Sequence, residues 1–331
     1  MVGFFLAEGV TRLQGYRPYR HIGSGITSVE PGGRLYRKHP TLGYANLPGK
    51  LTITLKTGLK FQVNNGNDGL RITRPPGTAL ASVDPKQMWI FGGSFTYGFC
   101  LNDAETYPWL LQERFPNFEV VNFGVGGYGT LQSLIQLQEA LAGGRTPPAL
   151  LIVAYAVFHN MRNCCHRIYW KNLIPSMDLE EIYLPRASVD QNGKLICKYV
   201  KLEYTPFPFM DRFALLNRLE TAYNVWEDRL PEGLQTAKAI FREINRICRH
   251  RQIVPVVASL TPDKITRKVL EYCRGLGMFT TDISVDITRP ENICYPYDNH
   301  PNAKTNREYA RRLGDFLQGK VLPHLAQTTG K

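Results

Sequence analysis

Met88-Trp89-Ile90-Phe91-Gly92-Gly93-Ser94-Phe95-Thr96-Tyr97-Gly98 sets the reading of the whole chain. The apolar run stops at two glycines, a serine follows at once, and Tyr107, Leu110 and Leu111 then recur at helical spacing. A continuous apolar run of this length reads as a strand buried on both faces. Paired glycines let the backbone turn sharply and approach a ligand closely. The hydroxyl and amide of Ser94 are thus expected at the carboxyl edge of a sheet, where open α/β folds keep their sites. A Gly-rich turn with a solvent-facing serine fits the same residues, so the distant partners of Ser94 decide.

Outward from this stretch, strands are expected at 88–92, 118–123, 149–156 and 253–259, and helices at 105–114, 130–142, 232–250, 263–275 and 302–318. The strands are nearly unbroken apolar runs and the helices amphipathic, which predicts a parallel sheet covered on both faces. Residues 1–85 read as a β-rich N-terminal extension, with a hairpin over Leu51–Asn64 around Thr57-Gly58 and a boundary at Arg74-Pro75-Pro76-Gly77. Residues 86–331 then form the main domain. Its rhythm breaks at about 164–211, where Ile182–Tyr204 alternates around Gln191-Asn192-Gly193. That predicts an inserted β-hairpin over one edge of the sheet, either a substrate wall or a decoration.

The bulk composition narrows the function classes. Against 28 acidic residues stand 40 Lys and Arg, a net charge of +12. Such a balance suits an anionic partner. Yet the basic residues are dispersed, the densest clusters (Arg12–His21 and Arg246–Arg251) read as solvated faces, and no nucleic-acid motif accompanies them, so nucleic acid is not expected. The 7 cysteines are odd in number and contain no CxxC, which favours reduced thiols. The apolar start Met1–Ala7 is cut by Glu8, too short to span a bilayer and preceded by no Lys or Arg. A cytoplasmic location without a transmembrane segment is the expectation, with export and peripheral membrane contact left open.

Three further stretches carry polar groups suited to chemistry. Gly124-Val125-Gly126-Gly127-Tyr128-Gly129 spells GxGxxG between a strand and a helix, the dinucleotide fingerprint. It follows the second core strand rather than the first, and no acid ends the next strand, the first one after it being Asp178. Its other use is an exposed backbone amide at a helix start, which stabilises an oxyanion. Tyr155–Asn163 puts polar side chains at the carboxyl end of the third strand; His159, Cys164, Cys165 and His166 within and after it match no standard metal spacing. Tyr297-Asp298-Asn299-His300-Pro301-Asn302 opens the last helix, with Pro301 suited to its first turn. There Asp298 can turn back onto one imidazole nitrogen of His300, leaving the other as a base for a serine.

Together these blocks resemble the SGNH hydrolases, the GDSL-type esterase/lipase superfamily, over most of residues 88–163 and 253–318. Gly92-Gly93-Ser94 is similar to the family's Gly-Asp-Ser block, with Gly93 in place of the aspartate. Asn122-Phe123-Gly124-Val125-Gly126-Gly127 resembles the second block, and Asp298-Asn299-His300 the last. Asn160 stands where the third block has its asparagine, although Phe158 and Met161 occupy that block's Gly and Asp positions. The resemblance implies a three-layer α/β/α, flavodoxin-like domain that hydrolyses an oxygen ester, with no metal or organic cofactor. It implies Ser94 as nucleophile, His300 as base and Asp298 as its orienting acid. It also implies an oxyanion hole from Ser94, Gly127 and Asn160, for which His159 or Asn163 are substitute donors. The substrate would be a small-molecule, lipid or carbohydrate ester. An O-acyltransferase using the same residues, a non-catalytic carbohydrate- or lipid-binding module, and a dinucleotide-binding protein are the rival readings.

Overall fold

The computed structural model describes residues 2–20, 23–177 and 179–329. Met1, His21 and Asp178, which enter the readings above, lie outside the described residues. The chain opens with a helix that the sequence reading missed, α1 (Val2–Leu13). Five strands follow: β1 (Ile26–Glu30), β2 (Tyr36–His39), β3 (Gly43–Asn46), β4 (Gly49–Leu55) and β5 (Lys60–Asn65). Strands β4 and β5 are the hairpin around Thr57-Gly58, with β1 added antiparallel at its edge, while β2 and β3 pair separately.

The core then alternates. It runs β6 (Lys86–Phe91), α2 (Ser94–Tyr97), α3 (Tyr107–Arg114), β7 (Phe118–Asn122), α4 (Thr130–Ala142), β8 (Leu150–Tyr155), α5 (His159–Asn163) and α6 (Arg167–Leu173). The inserted hairpin β9 (Tyr183–Val189) and β10 (Leu195–Lys201) comes next, followed by α7 (Ala214–Asp228) and α8 (Pro231–His250). The chain closes with β11 (Val254–Ser259), α9 (Lys264–Gly275), β12 (Phe279–Asp282), α10 (Ala303–Phe316) and α11 (Leu322–Thr329). The central sheet is wholly parallel, in the order β12-β11-β8-β6-β7. Counted along the core alone this is 2-1-3-4-5, the doubly wound order whose switch point lies between β6 and β8.

Alternate residues of each strand feed opposite layers, because the side-chain period of a strand is two. Trp89 and Phe91 of β6, with Leu151 and Val153 of β8, pack under Leu134 of α4, Ile240 and Phe241 of α8, and Val269 of α9. Met88, Ile90, Leu150 and Ile152 face the other way, onto Tyr107 and Leu111 of α3 and Tyr309 and Leu313 of α10. Helix α9 starts where Asp263 accepts the Thr266 amide at 2.8 Å, and α10 where Asn302 accepts the Thr305 amide at 3.1 Å. Pro301 therefore precedes α10 rather than lying in its first turn. The inserted hairpin rests on α4, α5 and α8 rather than on a sheet edge, burying Leu184 and Ala187. No helix among the described residues is long and apolar enough to cross a membrane.

The N-terminal strands are tied to the core through Arg71. Its backbone bridges Asn65 at the end of β5 and Asn122 at the end of β7. Its guanidinium, 1% exposed, donates to the carbonyls of Tyr97 (2.7 Å), Gly98 (2.6 Å) and Leu101 (2.7 Å) and to Asp103 Oδ1 (2.8 Å). Two of those acceptors, the carbonyls of Tyr97 and Gly98, end the helix begun by Ser94. Removing one partner of a buried ion pair leaves the other uncompensated, at a cost of about 3–5 kcal/mol. Arg71→Ala is accordingly expected to lower the unfolding free energy by that order, read as a fall in the urea midpoint at neutral pH.

Candidate active site

The turn that presents Ser94 follows from backbone that comes closer than a side chain permits. A Cβ on Gly92 would stand 2.1 Å from Thr96 Oγ1, and one on Gly124 2.4 Å from the Tyr97 amide nitrogen, so the turn after β6 closes only with glycine there. Ser94 is the first residue of α2, and its hydroxyl lies 2.9 Å from His300 Nε2. Asp298 Oδ1 accepts from His300 Nδ1 at 2.5 Å and from the His300 amide at 2.8 Å. That pairing puts the imidazole proton on Nδ1 and leaves Nε2 to accept from the serine. Residues 94 and 298–300 meet because α10 begins beside α3: Asn306 Oδ1 accepts the Tyr107 amide at 3.1 Å. The rings of Phe95 and Phe99 pack on the imidazole at 5.7 and 5.0 Å.

Burial pushes the Asp298 carboxyl up, but the hydrogen bonds and charge of His300 outweigh it and hold the group below the usual carboxylate range. It is an anion wherever His300 needs one. The Cys100 thiol lies with it: ligand atoms of Cys100, Asp298 and His300 fall within 4.8 Å of one another, the one such cluster among the described residues. The neighbouring Cys294 thiol, burial and Asp298 all push Cys100 up, so it stays a thiol rather than the thiolate a metal takes. Both imidazole nitrogens are also engaged, so these residues fit a hydrogen-bonded relay better than a metal set.

The cavity before Ser94 holds about 380 Å³. Gly126, Gly127, Met161 and Arg162 border it, as do Tyr169 and Leu173 of α6, with Ile26 and Tyr36 arriving from the N-terminal strands. Tyr44 donates to the Gly126 carbonyl at 2.7 Å and Tyr169 to the Gly127 carbonyl at 3.1 Å. With φ of +81° at Gly127, those carbonyls are held by the tyrosines while the Gly127 amide has no protein acceptor among the described residues. The Ser94 amide has none either. Two free N–H groups thus belong to the loops that border one cavity with the serine.

The third-strand loop differs from the sequence expectation. Asn160 does not border the cavity: its Oδ1 accepts from the Tyr155 hydroxyl at 2.8 Å and its Cβ faces Gly233 of α8. Asn163 turns to α4, where its Oδ1 accepts the Leu131 amide at 2.9 Å. His159 is buried with Nε2 unpartnered; burial and then the Arg162 charge hold it well below the usual histidine range, so it is neutral. The residue of this stretch that combines charge with a place in the cavity wall is Arg162, which the sequence reading quoted within Tyr155–Asn163 and gave no role. The dinucleotide fingerprint at 124–129 is here a loop wedged between Tyr36, Tyr44 and Tyr97.

No family model matches the chain, and no curated protein matches it. Solved structures similar to it include AlinE4, an SGNH-hydrolase family esterase, at 16% identity over 75% of this chain and 98% of that one, with a TM-score of 0.36. A member of the lipolytic G-D-S-L family from Veillonella parvula is 9% identical over 70% and 98%, TM-score 0.38. LAE5, an α/β hydrolase enzyme from the metagenome of Lake Arreo, is 9% identical over 71% and 96%, TM-score 0.38.

The α6 wall is held from behind. Arg167 Nε donates to Glu220 Oε1 of α7 at 2.7 Å, and Lys171 and Tyr204 bond the same carboxylate. Burial pushes Glu220 up, but Lys171, Tyr204 and Arg167 outweigh it and lower it. A carboxyl lowered on folding contributes stability above its unfolded value, and that contribution is lost as pH falls through the folded one. Glu220→Gln is expected to lower stability by about 1–3 kcal/mol at pH 7. The gap from wild type should narrow as pH drops below the ordinary glutamate value, followed by urea unfolding across pH.

Proposed function

We propose that the chain is a serine ester hydrolase of the SGNH type. The observation that carries this reading is His300 standing between two partners, Ser94 Oγ at 2.9 Å on Nε2 and Asp298 at 2.5 Å on Nδ1. A hydroxyl is a weak nucleophile until a base within hydrogen-bond reach takes its proton, and an ionised acid holds the base in the right tautomer. In the proposed reaction Ser94 Oγ attacks the ester carbonyl while its proton passes to His300 Nε2. The imidazolium faces Asp298, and its proton then goes to the departing alcohol. Water, deprotonated by the same imidazole, releases the acid from Ser94. The free amides of Ser94 and Gly127 are supplied for the oxygen that gains charge.

The cavity lies at the lower end of the range for ligand pockets, about 300–1,000 Å³. Its apolar members Ile26, Phe99, Met161 and Leu173 suit the acyl chain of an ester of modest size. Nothing in this scheme calls on Gly124–Gly129 to hold a dinucleotide, nor on a metal ion.

Ser94→Ala and His300→Ala are each expected to reduce cleavage of a short-chain nitrophenyl ester by about four to six orders of magnitude. A fluorophosphonate probe should label Ser94 in the wild type and nothing in Ser94→Ala. Equal ester rates in wild type and Ser94→Ala would overturn the reading.

A further inference from the structure

Arg162 is a positive charge in the cavity wall with no acid to answer it. Its Nη1 donates to the Tyr128 carbonyl at 2.9 Å, and its guanidinium lies 4.4 Å over the Phe158 ring. No salt bridge to it occurs among the described residues, and its other charged-form neighbours are the phenols of Tyr36, Tyr44 and Tyr169. Burial raises all three phenols, so they are neutral hydroxyls. A half-buried guanidinium offers five N–H donors, and among the described residues this one donates to a single carbonyl. Buried charges are ordinarily paired, because taking one from water without a counter-ion is costly.

The location of this charge says what would answer it. A Cβ built on Gly93 would stand 2.9 Å from Arg162 Nη1 and 3.0 Å from the Tyr128 carbonyl oxygen. The guanidinium therefore fills the room beside the residue that precedes the nucleophile, and with Gly127 it borders the same cavity as the Ser94 hydroxyl. Where the Gly-Asp-Ser pattern has a carboxylate, this chain has none, and an aspartate at 93 would set its charge against Arg162.

We infer that Arg162, rather than Asn160, is the third donor of the oxyanion hole. The inference rests on Ser94 being the nucleophile. As the bond from Ser94 Oγ to the carbonyl carbon forms, the carbonyl π pair moves onto oxygen and the serine proton onto His300 Nε2. The oxyanion is held by the Ser94 and Gly127 amides and a guanidinium N–H. When the pair returns, the ester C–O bond breaks and the proton leaves with the alcohol. A full positive charge replaces the neutral amide of an asparagine, and charge-assisted hydrogen bonds are about twice as strong as neutral ones. His159, whose neutral imidazole Nε2 lies 3.5 Å from the same Cβ position on Gly93, supplies no charge.

The test is steady-state kinetics on a neutral short-chain nitrophenyl ester with wild type, Ser94→Ala, Arg162→Gln, Arg162→Lys and Asn160→Ala, each checked by its unfolding midpoint. Inhibition by a trifluoromethyl ketone, which forms a serine adduct with an oxyanion, is measured beside it. Arg162→Gln is expected to lower kcat by about 10²–10³ with KM nearly unmoved and to weaken the ketone in proportion. Arg162→Lys should keep part of both, which a lost packing contact would not restore in step. Asn160→Ala should lose at least tenfold less kcat than Arg162→Gln. An Arg162→Gln enzyme that folds and keeps wild-type kcat and ketone affinity, while Ser94→Ala is dead, overturns the inference and leaves the hydrolase reading standing. A change in KM alone overturns it as well. Full activity in Ser94→Ala would instead remove the nucleophile, and both readings with it.

Discussion

The Arg71 guanidinium is the contact on which the site depends. Helix α2 has four residues and ends in the left-handed Gly98, so it cannot satisfy its own last carbonyls. Arg71 takes those of Tyr97 and Gly98 from outside, then that of Leu101, and balances its charge on Asp103. A single side chain from beyond the parallel sheet thus fixes the course of the chain after Ser94. Asp103 also accepts from the Asn64 amide at 3.2 Å, which returns the load to β5. The antiparallel strands before residue 86 are therefore part of the scaffold of the turn that carries Ser94.

The same strands and the segment after β8 close the cavity over that turn. Tyr44 from β3 holds the Gly126 carbonyl, Tyr36 from β2 borders the cavity, and Asn46 donates to the Gly124 carbonyl at 3.4 Å. Helix α6 is split by phase. Arg167 and Lys171, one turn apart, face Glu220 on α7, whereas Tyr169 and Leu173, also one turn apart, face the cavity. Residues four apart share a helix face and those two apart do not, so one short helix serves as both anchor and wall.

How much of this was legible in the sequence depends on where the information sits. Strands β6, β8 and β11 are nearly unbroken apolar runs, as burial on both faces demands, so they could be read directly, and the edge strand β7 (Phe-Glu-Val-Val-Asn) keeps enough of that pattern to be read with them. Strand β12 (Phe-Thr-Thr-Asp) is an edge with one large apolar residue and gives no such signal. Helix α1 has Glu8 and Thr11 buried while Phe5, Leu6 and Leu13 are exposed, the reverse of the pattern that marks a helix packed on a core. Helix α7 follows Pro206 and Pro208 and buries only Ala214, Glu220 and Asn224, again with large apolar groups outward. Ser94, Asp298 and His300 stand out because an abrupt end to an apolar strand and an Asp-x-His turn are local patterns. The segment after β8 did not, because Phe158 to Asn163 form a short helix: successive side chains step around it by about 100°. Which of Asn160, Met161 and Arg162 meets the cavity is set by how that turn docks on α8, through the close approach of Asn160 and Gly233.

The basic groups buried or half-buried in this molecule divide into those paired with an acid and one that is not. Arg71 has Asp103, and Arg167 and Lys171 share Glu220; each pair is complete before any ligand arrives. Surface pairs such as Arg311 with Asp315 add little to this, since water screens them. Arg162 alone among these interior cations is left with a carbonyl and an aromatic face. A folded chain tolerates that deficit when something else compensates it at the moment of use, and an interaction made in the transition state but not in the resting protein is the kind that speeds a reaction. The glycine at 93 belongs to the same logic: in the proposed reaction a carboxylate there would pair Arg162 in the resting state and leave it no charge for the oxyanion.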